Sequence, residues 1–294
     1  MSDYKGQLIN VLHYINQQIQ KDWTNTNSNA FNETICKDVL AEIACMSPRN
    51  FQLYFKSYFK EPFGKYIDRL RREFALQLIQ EGQFTHAEIA ERVGYANDTA
   101  LYNVFKKKYQ YTPSDYKEQV TQNKKIITDK IDCRIEILKE TSVIFLSYIG
   151  DYDNLSISFF EEDSWDKLYD FALSQNILPE IDEYWGICYD NREITDPKKC
   201  RFYACLTISN LIPRKITDEI KCMTIPSSRY AVFTYVGTYE GLDHFYDIAI
   251  QNIPLEYNLR DNLILERYLN SPTDTLESEL ITELWIPIAK ESII

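Results

Sequence analysis

Close to its C-terminus the chain reads ITELWIPIAK, and Glu283 is the single charged residue within the apolar run ITELWIPI. Alternation puts Ile281, Glu283 and Trp285 on one face of a strand and Thr282, Leu284 and Ile286 on the other. A carboxylate so placed is costly unless a cation meets it or it takes up a proton. Two outcomes are open. In a water-poor aromatic groove Glu283 attracts an apolar cation, each cation–π contact adding about 0.5–2 kcal/mol. Alternatively, it pairs permanently with an internal Arg or Lys.

A second group of candidate residues lies in the first part of the chain, on two segments projected at about 100° per residue. PRNFQLYFKSYFK directs Phe51, Phe55 and Phe59 inward, with Arg49, Gln52, Leu53, Lys56 and Lys60 on the other side. NDTALYNVFKKKY directs Leu101, Phe105 and Tyr109 inward, with Thr99, Tyr102, Asn103 and Lys106 outward. The outward sets match one to one, 49 with 99, 52 with 102, 53 with 103 and 56 with 106.

The elements that carry these faces repeat at roughly fifty residues, each copy a short helix, a tight turn and a second helix. The turns are Cys45-Met46 and Gly94-Tyr95. That is the layout of a helix-turn-helix. A longer helix from Pro62 joins the copies, with Phe63, Ile67, Leu70, Phe74 and Leu78 on one stripe and Lys65, Arg69 and Arg72 diametrically opposite. The remainder of this region also reads as helix.

Beyond QVTQNKKIITDK the period changes. CRIEILK, SVIFLSYIG, RFYACLTIS, EIKCMTIP, RYAVFTYVG and ELITELWIPI read as strands, with WDKLYDFALSQN and LDHFYDIAIQN as helices between them. This is an α+β pattern. IFLSYIGDYDNL and AVFTYVGTYEGL share Y-[IV]-G-x-Y-[DE]-x-L, so Gly150 and Gly237 mark a second duplication of roughly ninety residues. Paired strand–helix units commonly enclose a ligand groove.

At 294 residues, 45% hydrophobic and 14% aromatic, the chain has enough apolar surface for two cores and is no candidate for disorder. No apolar run is long enough to span a bilayer and MSDYKGQLIN shows no signal peptide, so a cytoplasmic protein with no membrane partner is expected. Seven cysteines without a CxxC pair read as reduced thiols. The net charge of −12 is uneven: residues 1–120 hold 15 Lys+Arg and 14 Asp+Glu, the remainder 17 and 30. A near-neutral segment joined to a strongly acidic one is compatible with a DNA-reading module fused to a domain that does not touch DNA.

IACMSPRNFQLYFKSYFKEPFGKYIDRLR followed by IAERVGYANDTALYNVFKKKYQYTPSDY resembles the DNA-binding domain of the AraC family of transcription regulators. The resemblance implies a homeodomain-like double helix-turn-helix. Base-reading positions fall on Arg49, Gln52 and Leu53 and on Thr99, Tyr102 and Asn103, with Lys56 and Lys106 meeting phosphates. Cys45 stands where the first turn would carry glycine, and Asn103 where family members often carry Arg.

The order YWGICYD, CRFYACLTI, RYAVFTYVGTYEGL, LERYLNSP, ITELWIPIAK is similar to the GyrI-like (SHS2-type) effector-binding domain, and the two halves together resemble regulators of the Rob type. Asp190-Asn191 stands where many members carry Asp-Asp-Pro. The acidic pocket residue implied by the resemblance is Glu283, with Trp285, Tyr148, Tyr152, Trp185 and Tyr239 as lining candidates.

The expected architecture is an all-α domain over 1–118, a linker at 119–130 and an α+β tandem-repeat domain over 131–294. Double-stranded promoter DNA, a small, cationic, amphipathic effector and RNA polymerase are the implied partners; no cofactor and no metal are expected. Two other classes stay open: a small-molecule hydrolase using Glu283 as general base, and a sequestering protein with an acidic half. His13, His86 and His244 stand in no metal or triad spacing.

Overall fold

The computed structural model describes residues 4–19, 30–123, 129–152, 164–192, 194–209, 217, 219–259 and 263–290. The chain forms two compact units, Met1–Ile126 and Ile127–Ile294. The division falls between residues 126 and 127, and residues 119–123 of the segment expected as a linker are helical.

The described helices of the first unit are α1 (Tyr4–Ile19), α2 (Ala30–Thr34), α3 (Lys37–Ile43), α4 (Pro48–Phe59), α5 (Phe63–Glu81), α6 (His86–Arg92), α7 (Asp98–Tyr109) and α8 (Pro113–Asn123). Caps set their limits. Ser47 accepts from the Asn50 amide, Asn97 accepts from the Ala100 amide, and Thr85 forms a reciprocal capping box with Glu88. Lys60 and Gln110 close α4 and α7 in the left-handed conformation, at equivalent positions of the two copies. Leu8, Val11, Leu12 and Ile15 of α1 join Leu40, Phe51, Phe55, Leu70, Leu78, Ile89, Leu101 and Phe105 in the core. Phe55 packs edge-on against Phe51, Phe63 and Tyr66.

Arg69 of α5, on the side opposite the apolar stripe, is 11% exposed and is held by Glu61 at 2.8 Å and Glu73 at 2.9 Å. A guanidinium this buried requires such carboxylates, and Glu61 lies in the turn before the helix where periodicity does not reach.

The second unit is an antiparallel sheet with two described helices. Its strands are β1 (Arg134–Leu138), β2 (Thr141–Ile149), β3 (Tyr184–Cys188), β4 (Arg201–Thr207), β5 (Lys221–Ile225), β6 (Ser228–Val236), β7 (Tyr257–Leu259), β8 (Ile264–Tyr268) and β9 (Ile281–Lys290). The helices are α9 (Ser164–Gln175) and α10 (Leu242–Gln251). Strand order is β1-β6-β9-β8-β3-β4-β2-β5, with β7 beside β9. The order reads as a two-fold about the β8–β3 seam. Each copy supplies a strand, a helix and a hairpin: β2, α9, β3–β4 in the first and β6, α10, β8–β9 in the second. Hydrogen bonds repeat accordingly. Gly150 donates to Cys200 as Gly237 does to Leu280, and Tyr189 donates to Arg201 as Leu269 does to Ile281.

Register gives the sheet two distinct faces. Leu168 and Ala172 of α9 pack on Ile144, Leu146, Phe202 and Ala204. Phe245 and Ala249 of α10 pack on Ala231, Phe233, Leu284 and Ile286. The opposite face carries its own aromatic layer, in which Phe145 stacks on Tyr203 and Trp285 meets Trp185 and Tyr230 edge-on. Six strands were expected from alternation. β3 and β8 add the central pair, where a glycine and an internal charge pair interrupt the apolar pattern.

Candidate functional site

All eight positions expected to face DNA are exposed on α4 and α7: Arg49, Gln52, Leu53, Lys56, Thr99, Tyr102, Asn103 and Lys106. Leu53 and Tyr102, at 61% and 44% exposed, are large apolar-bodied side chains left uncovered in this unit. Their support is the turn before each helix. Cys45 adopts φ +50° and Gly94 φ +76°, and both turns close with paired backbone bonds, Cys45 to Glu42 with Met46 to Ala41, and Gly94 to Glu91 with Tyr95 to Ala90. The thiol side chain therefore tolerates the left-handed region instead of avoiding it. Gly94 is more tightly constrained, since a Cβ there would lie 2.6 Å from the Phe31 ring. Arg71 of α5 donates to the carbonyls of Val93 and Gly94, fixing the second turn to the connecting helix. Lys106 lies 4.0 Å from Asp115, both about half exposed.

The second unit holds two buried carboxylates on opposite faces of its sheet. Glu283 of β9, 6% exposed, meets Arg134 of β1 at 2.5 Å and Arg267 of β8 at 3.5 Å, and accepts from the Trp285 indole at 3.2 Å. The second of the two outcomes foreseen for Glu283 is the one realised. The expectation of an uncompensated charge is overturned, because Arg134 reaches across β6 from an edge strand and Arg267 stands directly opposite on β8. Neither arginine was visible as a partner, since both lie far from Glu283 in sequence.

Glu266 of β8 is 7% exposed and has a different shell. Its oxygens accept from Tyr246 of α10 at 2.6 Å, Tyr268 at 2.5 Å and the Cys188 thiol at 3.5 Å. No Lys, Arg or His pairs with it among the described residues. Burial pushes the Tyr246, Tyr268 and Cys188 groups well above their ordinary ionisation ranges, reinforced by the neighbouring Glu266 charge. All three consequently stay protonated and donate. Aromatic rings pack against Tyr268. Trp165 of α9 and Tyr239 each meet the Tyr268 ring edge-on, at 5.8 and 5.7 Å, and Trp165 also meets Tyr184. The result is a buried carboxylate held by neutral donors, beside a cluster of aromatic rings that draws on α9, α10 and the central seam.

A family profile described as a GyrI-like small molecule binding domain matches residues 131–289, which is more than half of the chain. The chain belongs to the GyrI-like family. A helix-turn-helix domain profile matches residues 40–119. The F1 operon positive regulatory protein of Yersinia pestis is 25% identical over 265 residues, 85% of this chain and 77% of that relative. The transcriptional regulator AlkR of Acinetobacter baylyi is 30% identical over 113 residues, 38% of this chain; the chain spans about a third of AlkR, 33%. Among solved structures, EcmrR in its complex with DNA is 14% identical with a TM-score of 0.44, covering 87% of this chain and 99% of that one.

Within the GyrI-like domain the expected lining residues are divided. Trp185 and Trp285 do come together with Glu283, their ring centroids 5.4 Å apart, and Arg267 lies over Trp185 at 5.5 Å. Tyr239 is on the other face with Glu266. Tyr148 and Tyr152 hydrogen-bond within the fold: the Tyr148 hydroxyl lies 2.5 Å from that of buried Ser164, and Tyr152 donates to the Arg201 carbonyl and accepts from the Asp190 amide. Asp190 in turn locks Arg201 in a buried ion pair at 2.5 Å. Glu266, Tyr246, Tyr268, Cys188 and Trp165 were not anticipated. A signal existed: LILERYL carries an acid inside an apolar strand-length run, as ITELWIPI does. All seven cysteines are free thiols, and no described helix is long and apolar enough to cross a membrane.

Proposed function

We propose that the protein is a DNA-binding transcription regulator whose GyrI-like domain takes a small, apolar cation at the Glu266 cage. The observation that carries the ligand class is a buried carboxylate bonded only by neutral donors among the described residues. An apolar monocation supplies the missing charge, and the rings of Trp165, Tyr239, Tyr246 and Tyr268 offer cation–π and apolar contact. Tyrosine hydroxyls hold the carboxylate until the ligand arrives and then compete with it, which selects a cation over a neutral molecule of equal size.

In the same reading α4 and α7 enter successive major-groove faces about 34 Å apart. Arg49, Gln52, Leu53, Thr99, Tyr102 and Asn103 contact base edges, while Lys56 and Lys106 contact phosphates. Its setting is cytoplasmic promoter DNA, with RNA polymerase as the protein responding to occupancy. Glu266 serves as a binding group, and the reading contains no catalytic step.

Calorimetric titration of the full chain with tetraphenylphosphonium tests the ligand site. Glu266→Gln is expected to weaken binding at least tenfold, about 1.4 kcal/mol, with circular dichroism unchanged. Equal affinity in the mutant overturns the assignment.

A further inference from the structure

The duplicated sheet contains an internal comparison for its own edges. β1 and β5 are its outermost strands, each hydrogen-bonded on one side only among the described residues, β1 to β6 and β5 to β2. They occupy equivalent places in the two copies, but their side chains differ. On the helix-bearing face β1 presents Ile135 and Ile137, 39% and 63% exposed. β5 presents half-buried Cys222 and exposed Thr224 there. The fold therefore does not require an apolar pair at that position. On the other face β1 carries Arg134 and Glu136, with side chains 48% and 45% exposed.

We propose that β1 is a dimer interface, pairing antiparallel with β1 of a second copy about a two-fold axis through Ile135. A continuous pleat requires opposed residues to point to the same face, so the axis passes through a residue. Centred on Ile135, Arg134 opposes Glu136 of the partner subunit, and Glu136 opposes Arg134 of the partner subunit. Four charges then alternate in sign around the axis. Ile135 meets its own symmetry mate, covering apolar surface. Centred on Glu136, the same strand would set two carboxylates against each other. β5 has no equivalent solution, because Lys221 would oppose Met223 or Ile225. Within its own chain Arg134 places one terminal nitrogen on Glu283, the other on the Thr234 hydroxyl and its Nε 3.4 Å from Glu136, and its half-exposed side chain leaves room for the partner's carboxylate as a further contact.

An exposed strand edge usually carries a device against such pairing. The charges of β1 instead complement one another in one register, which favours a second copy over an unrelated strand. Five residues form a short edge, so the dimer is expected to depend on concentration.

Sedimentation of the full chain across a concentration series tests this. The native protein is expected to pass from monomer to dimer. Glu136→Arg, which sets Arg against Arg134 of the partner subunit, and Ile137→Thr, the residue type found in β5, should each weaken the dimer at least tenfold. Ile137 is exposed, so the unfolding midpoint of Ile137→Thr should not move; Glu136→Arg also removes a contact with Arg134 of its own chain, so its dimerisation is read where circular dichroism shows it folded. Ile135→Cys combined with Cys45→Ser adds a positional readout: Cβ atoms of opposed residues lie about 4.5–5.5 Å apart, so mild oxidation should yield a covalent dimer. A monomer at every concentration, or a dimer indifferent to Glu136→Arg and Ile137→Thr, overturns the proposal.

Discussion

Replacing Glu283 with Gln separates the two carboxylates by consequence. The native side chain takes a 2.5 Å charged contact from Arg134, a 3.5 Å contact from Arg267 and an indole hydrogen bond. Breaking a fully buried ion pair costs about 3–5 kcal/mol. Here the arginines are 48% and 27% exposed and keep Glu136 and Glu183 as second partners, which reduces the penalty. A charge-assisted hydrogen bond of about 1.5–3 kcal/mol is the larger remaining loss. Glutamine retains one acceptor oxygen but turns an amide donor toward guanidinium or indole, so about 2 kcal/mol of destabilisation is expected. Trp185 and Trp285 adjoin the site and report its unfolding by fluorescence. With an m-value of about 2 kcal/mol per molar urea, the C-terminal transition should fall by about 1 M. Affinity for tetraphenylphosphonium should stay within about twofold, because the cage lies on the other face of the sheet. An unmoved midpoint with lost binding would refute the reasoning and make Glu283 the ligand's counter-ion.

The remaining expectations concern both units. Arg49→Ala should remove about 1–3 kcal/mol of discrimination between specific and scrambled duplexes. Lys106→Ala should weaken both duplexes equally and reduce the salt slope by about one; titrations at several salt concentrations distinguish the two. Cys45→Gly should stabilise the helical unit by up to about 1 kcal/mol in thermal unfolding, since it relieves a left-handed residue at some cost in chain entropy. Burial lowers His13 from 6.5 to about 4. Between those values the unfolded chain binds a proton that the folded chain does not. Stability of the helical unit is therefore intact above pH 6.5 and falls with pH, by roughly 3 kcal/mol near pH 4. His13→Gln should flatten this dependence in urea titrations.

The helical unit was legible because its signals are local. Caps, turn residues and a 3.6-residue period lie within a few positions of the side chains they orient, so α4 and α7 emerge with their outward faces intact. One inserted residue escapes that reading: the turns align Cys45 with Gly94, whereas the caps align Ser47 with Asn97. The sheet was legible where strands alternate cleanly and illegible at its seam. Partners there are chosen by register between distant segments, so neither the Arg134–Glu283 contact nor the position of β3 beside β8 could be read from spacing.

Glu266 shows why a duplicated fold is harder to read than its repeats. Aligning the hairpins sets Gly186 of β3 against Glu266 of β8 and Cys188 against Tyr268, and cross-strand register brings Gly186 opposite Glu266 itself. The cage depends on the two copies having diverged at this seam. One copy contributes the carboxylate and a tyrosine, the other a thiol and a residue without a side chain. A Cβ at Gly186 would fall 2.6 Å from the Tyr268 hydroxyl and 2.7 Å from Phe202. Gly186→Ala must therefore push Tyr268 off Glu266 or displace Phe202 in the core, at a cost of about 1–3 kcal/mol. If the mutant binds tetraphenylphosphonium and unfolds as the native protein does, the close approach across the seam is not what shapes the site.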